Sequence, residues 1–152
     1  MLGNDSVGQS RQGTSVALSA DGNTIIVGAK DDTTNGVVRN FTRSGNVWTQ
    51  QGPKLVGVDG WHPSNYFWQG NSVAISSDGN TVLFGGPGQG GSLGAAFVFT
   101  RSAGVWTQQS VGALRGSDAV SGTQQGFSVA LSANGNTALV GAPTDNGSRG
   151  AA

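Results

Sequence analysis

The sequence contains no cysteine and a single histidine, and only 11% of its 152 residues are charged. Without cysteine the chain has no disulfide framework, no thiol nucleophile and no cysteine-ligated zinc. A Ser-His-Asp triad or a histidine-ligated metal would have to use His62, and no Gly-x-Ser-x-Gly motif accompanies it. We therefore expect that this chain is not an enzyme.

The sequence also lacks an excess of charge of either sign. Eight Lys and Arg residues balance eight Asp and Glu residues, and neither sign forms a cluster. Nucleic acids and anionic membrane surfaces both select a basic stripe or patch, so neither is expected as a partner. No apolar run approaches the roughly 20 residues of a membrane-spanning helix, and the N-terminus has no signal-peptide pattern. We expect no insertion into a membrane.

What the sequence does contain is a repeated segment rich in glycine. The twelve residues 13–24 return at 70–81 with nine identities and at 126–137 with ten, at spacings of 57 and 56 residues. Self-similarity at a fixed period indicates a repeat architecture. The fold is therefore best analysed one repeat at a time.

Each repeat is predicted to form four antiparallel strands. In the first copy these are 15–18, 24–27, 37–43 and 47–51, with Asp21-Gly22 as a hairpin turn. The second strand is continuously apolar, which indicates burial on both faces. The second copy contains the matching strands 81–84, 95–101 and 105–109. No segment shows apolar residues at helical spacing over ten residues, so the fold class is predicted to be all-β.

Four-stranded antiparallel sheets that are apolar on both faces and repeat along the chain are typical of β-propeller blades. The chain is predicted to hold about two and a half blades, as a fragment of a larger propeller. The predicted divisions are linker 1–12, blade one 13–51, linker 52–69, blade two 70–109, linker 110–125 and half blade 126–152. The expected partners include the remaining blades, or a second copy joined through open strand edges.

Two motifs in the third copy resemble a known family. Gly126-Phe-Ser-Val-Ala-Leu131 and Ala138-Leu-Val-Gly-Ala-Pro143 are similar to the FG-GAP repeat of integrin α-subunit propellers and bacterial surface proteins. The second copy keeps a related Phe84-Gly-Gly-Pro87. The resemblance implies a propeller, usually seven-bladed, at the cell surface or outside the cell, that serves in adhesion or ligand binding.

The calcium-binding members of that family carry an Asp-x-Asp-x-Asp-Gly loop between the first two strands. Here the loop is shortened to 20–23, 77–80 and 133–136. Calcium takes 6–8 oxygen ligands, which one carboxylate in a tight turn does not supply. Asp21 and Asp78 are therefore predicted to be turn residues, and neither a metal nor another cofactor is expected.

The candidate ligand surface lies in the linker between the first two repeats. Residues 60–69 hold two of the four tryptophans, the only tyrosine and the only histidine. In a propeller this linker emerges on the same face as the loop between the second and third strands. Aromatic faces beside polar groups suit a sugar ring or a protein loop. The predicted ligand-binding residues are Trp61, His62, Tyr66 and Trp68, with Lys30, Asp31 and Asp32.

The same linker has a purely structural interpretation, in which Phe67 and Trp68 fill the gap between two blades and Trp61 folds over the linker. A second ambiguity concerns Arg39 and Asn40, which stand where the second copy has Phe97 and Val98. A polar pair in a central strand must find partners or reach an edge. Structural drift between the repeats is the favoured interpretation of that pair.

Together these features predict a non-catalytic FG-GAP-like module of an extracellular or surface protein, which binds a protein or glycan through its loops. One alternative is a purely structural repeat without a ligand. Another is an accessory propeller of an enzyme whose catalytic domain lies elsewhere. Glycan and protein arrays on which no ligand binds above background would favour the structural alternative.

Overall fold

A computed structural model describes residues 3–59 and 67–152. These residues form three antiparallel sheets, of four, four and two strands, each in sequential order. The strands are β1 (Gln12–Leu18), β2 (Thr24–Ala29), β3 (Val37–Ser44), β4 (Val47–Gln50), β5 (Ser72–Ile75), β6 (Thr81–Gly85), β7 (Ala96–Ser102), β8 (Val105–Gln108), β9 (Ser128–Leu131) and β10 (Ala138–Gly141). Two tight turns, at Gln89–Ser92 and Asp145–Ser148, lie in the loops that follow β6 and β10, and their central residues have left-handed backbone conformations.

The turn between β1 and β2 is built by its own side chains. The Asp21 carboxylate accepts hydrogen bonds from the Ser19 hydroxyl at 2.5 Å and the Asn23 backbone amide at 2.9 Å. Ser19 Oγ in turn accepts from the Thr24 amide at 2.9 Å, and Gly22 has a φ of 68°. The bond from Ser19, followed by that from Asn23, lowers the pKa of Asp21. The prediction that Asp21 is a turn residue is confirmed.

The three sheets stand side by side as propeller blades, with their first strands innermost. β1 contacts β5, and β5 contacts β9. Between the first two sheets lies one buried apolar cluster, in which Ile26 and Val38 of the first sheet meet Phe84 and Phe97 of the second. The Phe84 and Phe97 ring centroids are 5.6 Å apart. The predicted all-β fold of blades buried on both faces is confirmed, and its main core lies between blades.

Consecutive blades are joined by the same hydrogen bond at each step. The Ser15 hydroxyl of β1 donates to the Gly70 carbonyl at 2.8 Å, and the Ser72 hydroxyl of β5 donates to the Gly126 carbonyl at 2.9 Å. Gly70 and Gly126 are the first residues of the following repeats. The first strand of each blade therefore binds the first residue of the following repeat.

The β1–β2 type turns also connect from blade to blade. The Ala20 amide donates to the Ser77 carbonyl at 3.0 Å, and the Ser77 amide donates to the Ala133 carbonyl at 2.8 Å. Arg101 reaches back to the first blade, where its guanidinium donates to Gln51 Oε1 at 2.9 Å. These polar bonds join neighbouring blades, while the apolar cluster supplies the burial.

Each linker first extends the outer part of its own blade and then crosses to the next. Leu55 pairs with Val38 of β3 as an antiparallel bridge. Two residues later the Gly57 amide donates to Gln69 Oε1 at 2.8 Å, and Gln69 Nε2 returns a bond to the Gly57 carbonyl at 2.9 Å. The same glycine-to-glutamine bond joins Gly3 to Gln12 and Gly116 to Gln125. We call Gln12, Gln69 and Gln125 the anchor glutamines, because each one binds the backbone of its own linker.

Candidate functional site

The end of the first linker runs beside the β2–β3 loop, as the sequence predicted. The Phe67 amide donates to the Thr34 carbonyl at 3.3 Å, and the Gln69 amide donates to the Asn35 carbonyl at 2.9 Å. Gly94 and Gln125 form the matching parallel bridge in the second repeat. Loops and linker ends therefore meet on one face of the blades.

Trp68 lies on this face and is half-buried. The Lys30 ammonium is 5.8 Å from the centroid of its ring, within the range of a cation–π contact. The backbone of Trp68 has a φ of 53°, an uncommon conformation for a bulky residue. The matching linker residues Arg11 and Gln124 have the same conformation, with φ of 45° and 56°, so this conformation belongs to the linker end of each repeat.

Asp31 lies next to this pair in sequence and forms an ion pair with Arg11 at 3.0 Å. Their side chains are 27% and 67% exposed, so the pair is open to solvent. Sequence reasoning did not include Arg11, because it precedes the first repeated strand and no motif marks it. We use the name "loop surface" for Arg11, Lys30, Asp31 and Trp68.

Asp32 is a correction to the predicted ligand surface, because its side chain has no exposed area. Its Oδ2 accepts from Arg39 Nη2 at 2.5 Å, and its Oδ1 accepts from Lys54 Nζ at 3.1 Å. Burial acts to raise the pKa of Asp32, but the hydrogen bonds from Arg39 and Lys54 outweigh burial and hold the pKa below its usual value. Asp32 thus acts inside the blade and does not face a ligand.

Trp61, His62 and Tyr66 lie outside the residues that the structure describes. Their part in the candidate surface stays a prediction from the sequence. The described neighbour Phe67 is 8% exposed, which agrees with the packing role predicted for it.

Arg39 is the centre of a buried ionic cluster. Besides Asp32, its guanidinium binds Asp5, with Nε 2.7 Å from Oδ1. Burial acts to lower the pKa of Arg39, but the hydrogen bonds that Arg39 donates to Asp32 and Asp5 outweigh burial and raise the pKa. The polar residue has therefore found partners, from the linker before the blade and the loop before β3. The requirement that a polar residue in a central strand finds partners is met for Arg39, and its interpretation as structural drift between the repeats stays a prediction.

The Asn40 side chain, unlike that of Arg39, is buried without hydrogen-bond partners among the described residues. It is fully buried, and neither its amide nitrogen nor its amide oxygen has a hydrogen-bond partner among the described residues. A buried polar group without a partner costs about 1–3 kcal/mol. The second repeat has Val98 at this position, so the strand accommodates an apolar β-branched residue.

Asn40→Val is expected to stabilise the chain by about 1–3 kcal/mol, because it removes two unpaired polar atoms and suits a strand. Urea unfolding followed by tryptophan fluorescence measures the change. Thr42→Val, on the same strand and half-buried, is the matched control and is expected to stay within about 0.5 kcal/mol. A destabilised Asn40→Val variant would contradict the prediction.

Other features bear on chemistry more weakly. In residues 3–59 and 67–152, no three His, Cys, Asp or Glu side chains are grouped as metal ligands. Within the same ranges no helix has the length and apolar character needed to cross a bilayer.

No family model matches the chain, and no curated protein matches it either. Among solved structures, the chain is similar to the crystal structure of TolB from Acinetobacter baumannii, at 14% identity and a TM-score of 0.48. The match covers 89% of this chain and 27% of that chain, so the chain spans about a quarter of the length of TolB.

Proposed function

We propose that this chain is a non-catalytic β-propeller module of FG-GAP type from an extracellular or cell-surface protein, and that its loop surface binds a protein or glycan ligand. The observation that carries the proposal is the placement of Trp68. A half-buried aromatic ring shares one face with Lys30 and the ion pair of Asp31 and Arg11.

The chemistry of this surface suits such ligands. A tryptophan ring offers a large apolar face that packs against the C–H side of a sugar or against a protein side chain. The charged groups of Lys30, Asp31 and Arg11 provide donors and acceptors around that face, for hydroxyls or backbone amides. In the sequence, four further aromatic or imidazole residues precede Trp68 within eight positions: the buried Phe67, and Trp61, His62 and Tyr66.

A structural scaffold without a ligand is the second candidate function. It is favoured by Phe67, which is nearly buried, and by Lys30, which already partners the Trp68 ring within the chain. In this alternative the linker only seals the junction between two blades. The two functions differ in what the removal of the Trp68 ring would change.

Trp68→Ala is expected to lower affinity at least about tenfold for the glycans or protein segments that the wild-type chain retains on arrays, because aromatic anchors dominate binding surfaces. Bio-layer interferometry with the strongest array hit measures the loss, and thermal melting checks the fold. Trp48→Ala, on β4 and under Arg43, is the control and is expected to keep full affinity. Arrays without hits, or a Trp68→Ala variant that loses only stability, would support the scaffold.

A further inference from the structure

Among the residues that the structure describes, β10 has only one of its two edges paired along its length. It forms a ladder with β9, and its other side opens into a groove of about 530 Å³. In the first two blades the same edge of the second strand is covered, by β3 on β2 and by β7 on β6. Near the groove a single bridge, between Ala142 and Ala151, begins the corresponding pairing. The completed blades therefore show what covers such an edge: an antiparallel strand.

Three groove residues correspond to three residues around Arg39 in the first blade. Gly116 matches Gly3, because both amides donate to the anchor glutamine at 2.8 Å. Asp118, two residues after Gly116, then matches Asp5.

The third correspondence lies in the loop after the second strand. The Asp145 amide donates to the Ala142 carbonyl at 3.3 Å, as the Asp32 amide donates to the Ala29 carbonyl at 3.0 Å. Asp145 therefore matches Asp32. Asp118 and Asp145 both line the open groove.

In the first blade these three positions enclose the third-strand arginine. Asp5 and Asp32 bind the Arg39 guanidinium, and a Cβ added to Gly3 would overlap it. The glycine therefore leaves the space, and the two carboxylates supply the charge.

The second blade shows the alternative. The position of Asp32 is held by Gln89, which donates to Asp59, and the third strand carries Phe97 in place of arginine. A Cβ on Gly57 would overlap the Phe97 ring. In the first blade, two aspartates near the glycine occur together with an arginine on the third strand. In the second blade, one aspartate and one glutamine near the glycine occur together with a phenylalanine. The third blade has the two acids.

We propose that the open edge of β10 binds an antiparallel β-strand in which an arginine lies opposite Val140 and forms ion pairs with Asp118 and Asp145. Val140 occupies the place of Val27, the residue opposite Arg39 in the β2–β3 ladder. The occupant is a strand of the β3 type, and backbone pairing supplies its affinity while the two carboxylates select the arginine.

The test uses a synthetic peptide of residues 39–55, which carries Arg39 and Lys54 and begins after the positions that Ala151 and Ala152 already occupy, titrated against the full chain by calorimetry. The matched peptide has Arg39→Phe. The arginine peptide is expected to bind at least about tenfold more tightly, and Asp118→Asn with Asp145→Asn in the chain is expected to abolish that preference. Equal affinity of the two peptides, or a preference that survives the double substitution, would overturn the proposal.

A fused version decides the outcome if neither peptide binds, since an isolated hairpin is only marginally structured in water. Ala151 and Ala152 match Val37 and Val38 in the repeat, so residues 39–55 appended after Ala152 continue the strand in register. The fusion with arginine is expected to melt several degrees higher than the fusion with Arg39→Phe in the appended segment. Once Asp118 and Asp145 are replaced by asparagine, the two fusions are expected to melt at the same temperature. Equal melting of the two fusions on the unaltered chain would also overturn the proposal.

Discussion

Gly85→Ala is expected to destabilise the chain by about 3 kcal/mol or more, the upper end of the cost of overpacking. A Cβ at Gly85 would overlap the carbonyl oxygen of Gly126. That oxygen also accepts the Ser72 hydroxyl, so the backbone of the third repeat cannot move away without losing the bond that joins it to the second. Chemical denaturation of the purified variant measures the loss.

The third repeat provides the matched control. Gly141 holds the same position as Gly85, but a Cβ there would overlap only the Ser128 hydroxyl, the end of a side chain that can rotate. Gly141→Ala is expected to cost less than about 1 kcal/mol. Equal costs at the two positions would show that the Gly126 carbonyl is not the obstacle.

Asp32→Ala is expected to destabilise the chain by about 3–5 kcal/mol, because it leaves the buried Arg39 guanidinium with one carboxylate in place of two. Arg39 has no exposed side-chain area to recover hydration. Asp31→Ala is the control, since its ion pair with Arg11 is open to solvent and contributes about 0–1 kcal/mol. A loss at Asp32 no larger than the loss at Asp31 would contradict the ionic cluster.

The pH dependence of unfolding gives a second readout of the same cluster. Because the folded-state pKa of Asp32 lies below its usual value of about 4, its contribution is present above that value and is lost as pH falls through the folded pKa. The wild-type chain should therefore lose stability below about pH 4. Asp32→Asn should show a shallower loss over that range, because the group that titrates there has been removed.

The sequence predicted the fold well because the fold depends on short-range patterns. The continuous apolar run from Thr24 indicated burial on both faces, and Ile26 is fully buried while Val27 is nearly so. The Asp-Gly turn was recognisable because its hydrogen bonds join residues within five positions of one another. Contacts between residues this close in the chain can be predicted from the sequence alone.

The candidate site was harder to predict, because its contacts depend on which side of a loop each residue faces. Asp31 and Asp32 are adjacent and chemically identical, yet one is open to solvent and the other is buried. The partners of Arg39 come from Asp5, 34 positions earlier, as well as from the nearby loop. One signal in the sequence could have pointed to Asp5 as a partner of Arg39. The Gly-x-Asp pattern of residues 3–5 recurs at 57–59 and 116–118, at the same place in each repeat.

The serine-to-glycine bond between consecutive blades has a consequence for how such chains lengthen. The donor belongs to the first strand of one copy and the acceptor to the first residue of the next, and both groups are the same at both joints. A copy inserted by tandem duplication would therefore arrive with its attachment to each neighbour already encoded. Growth or shortening by whole units would leave every joint intact, whereas the loops between them remain free to diverge.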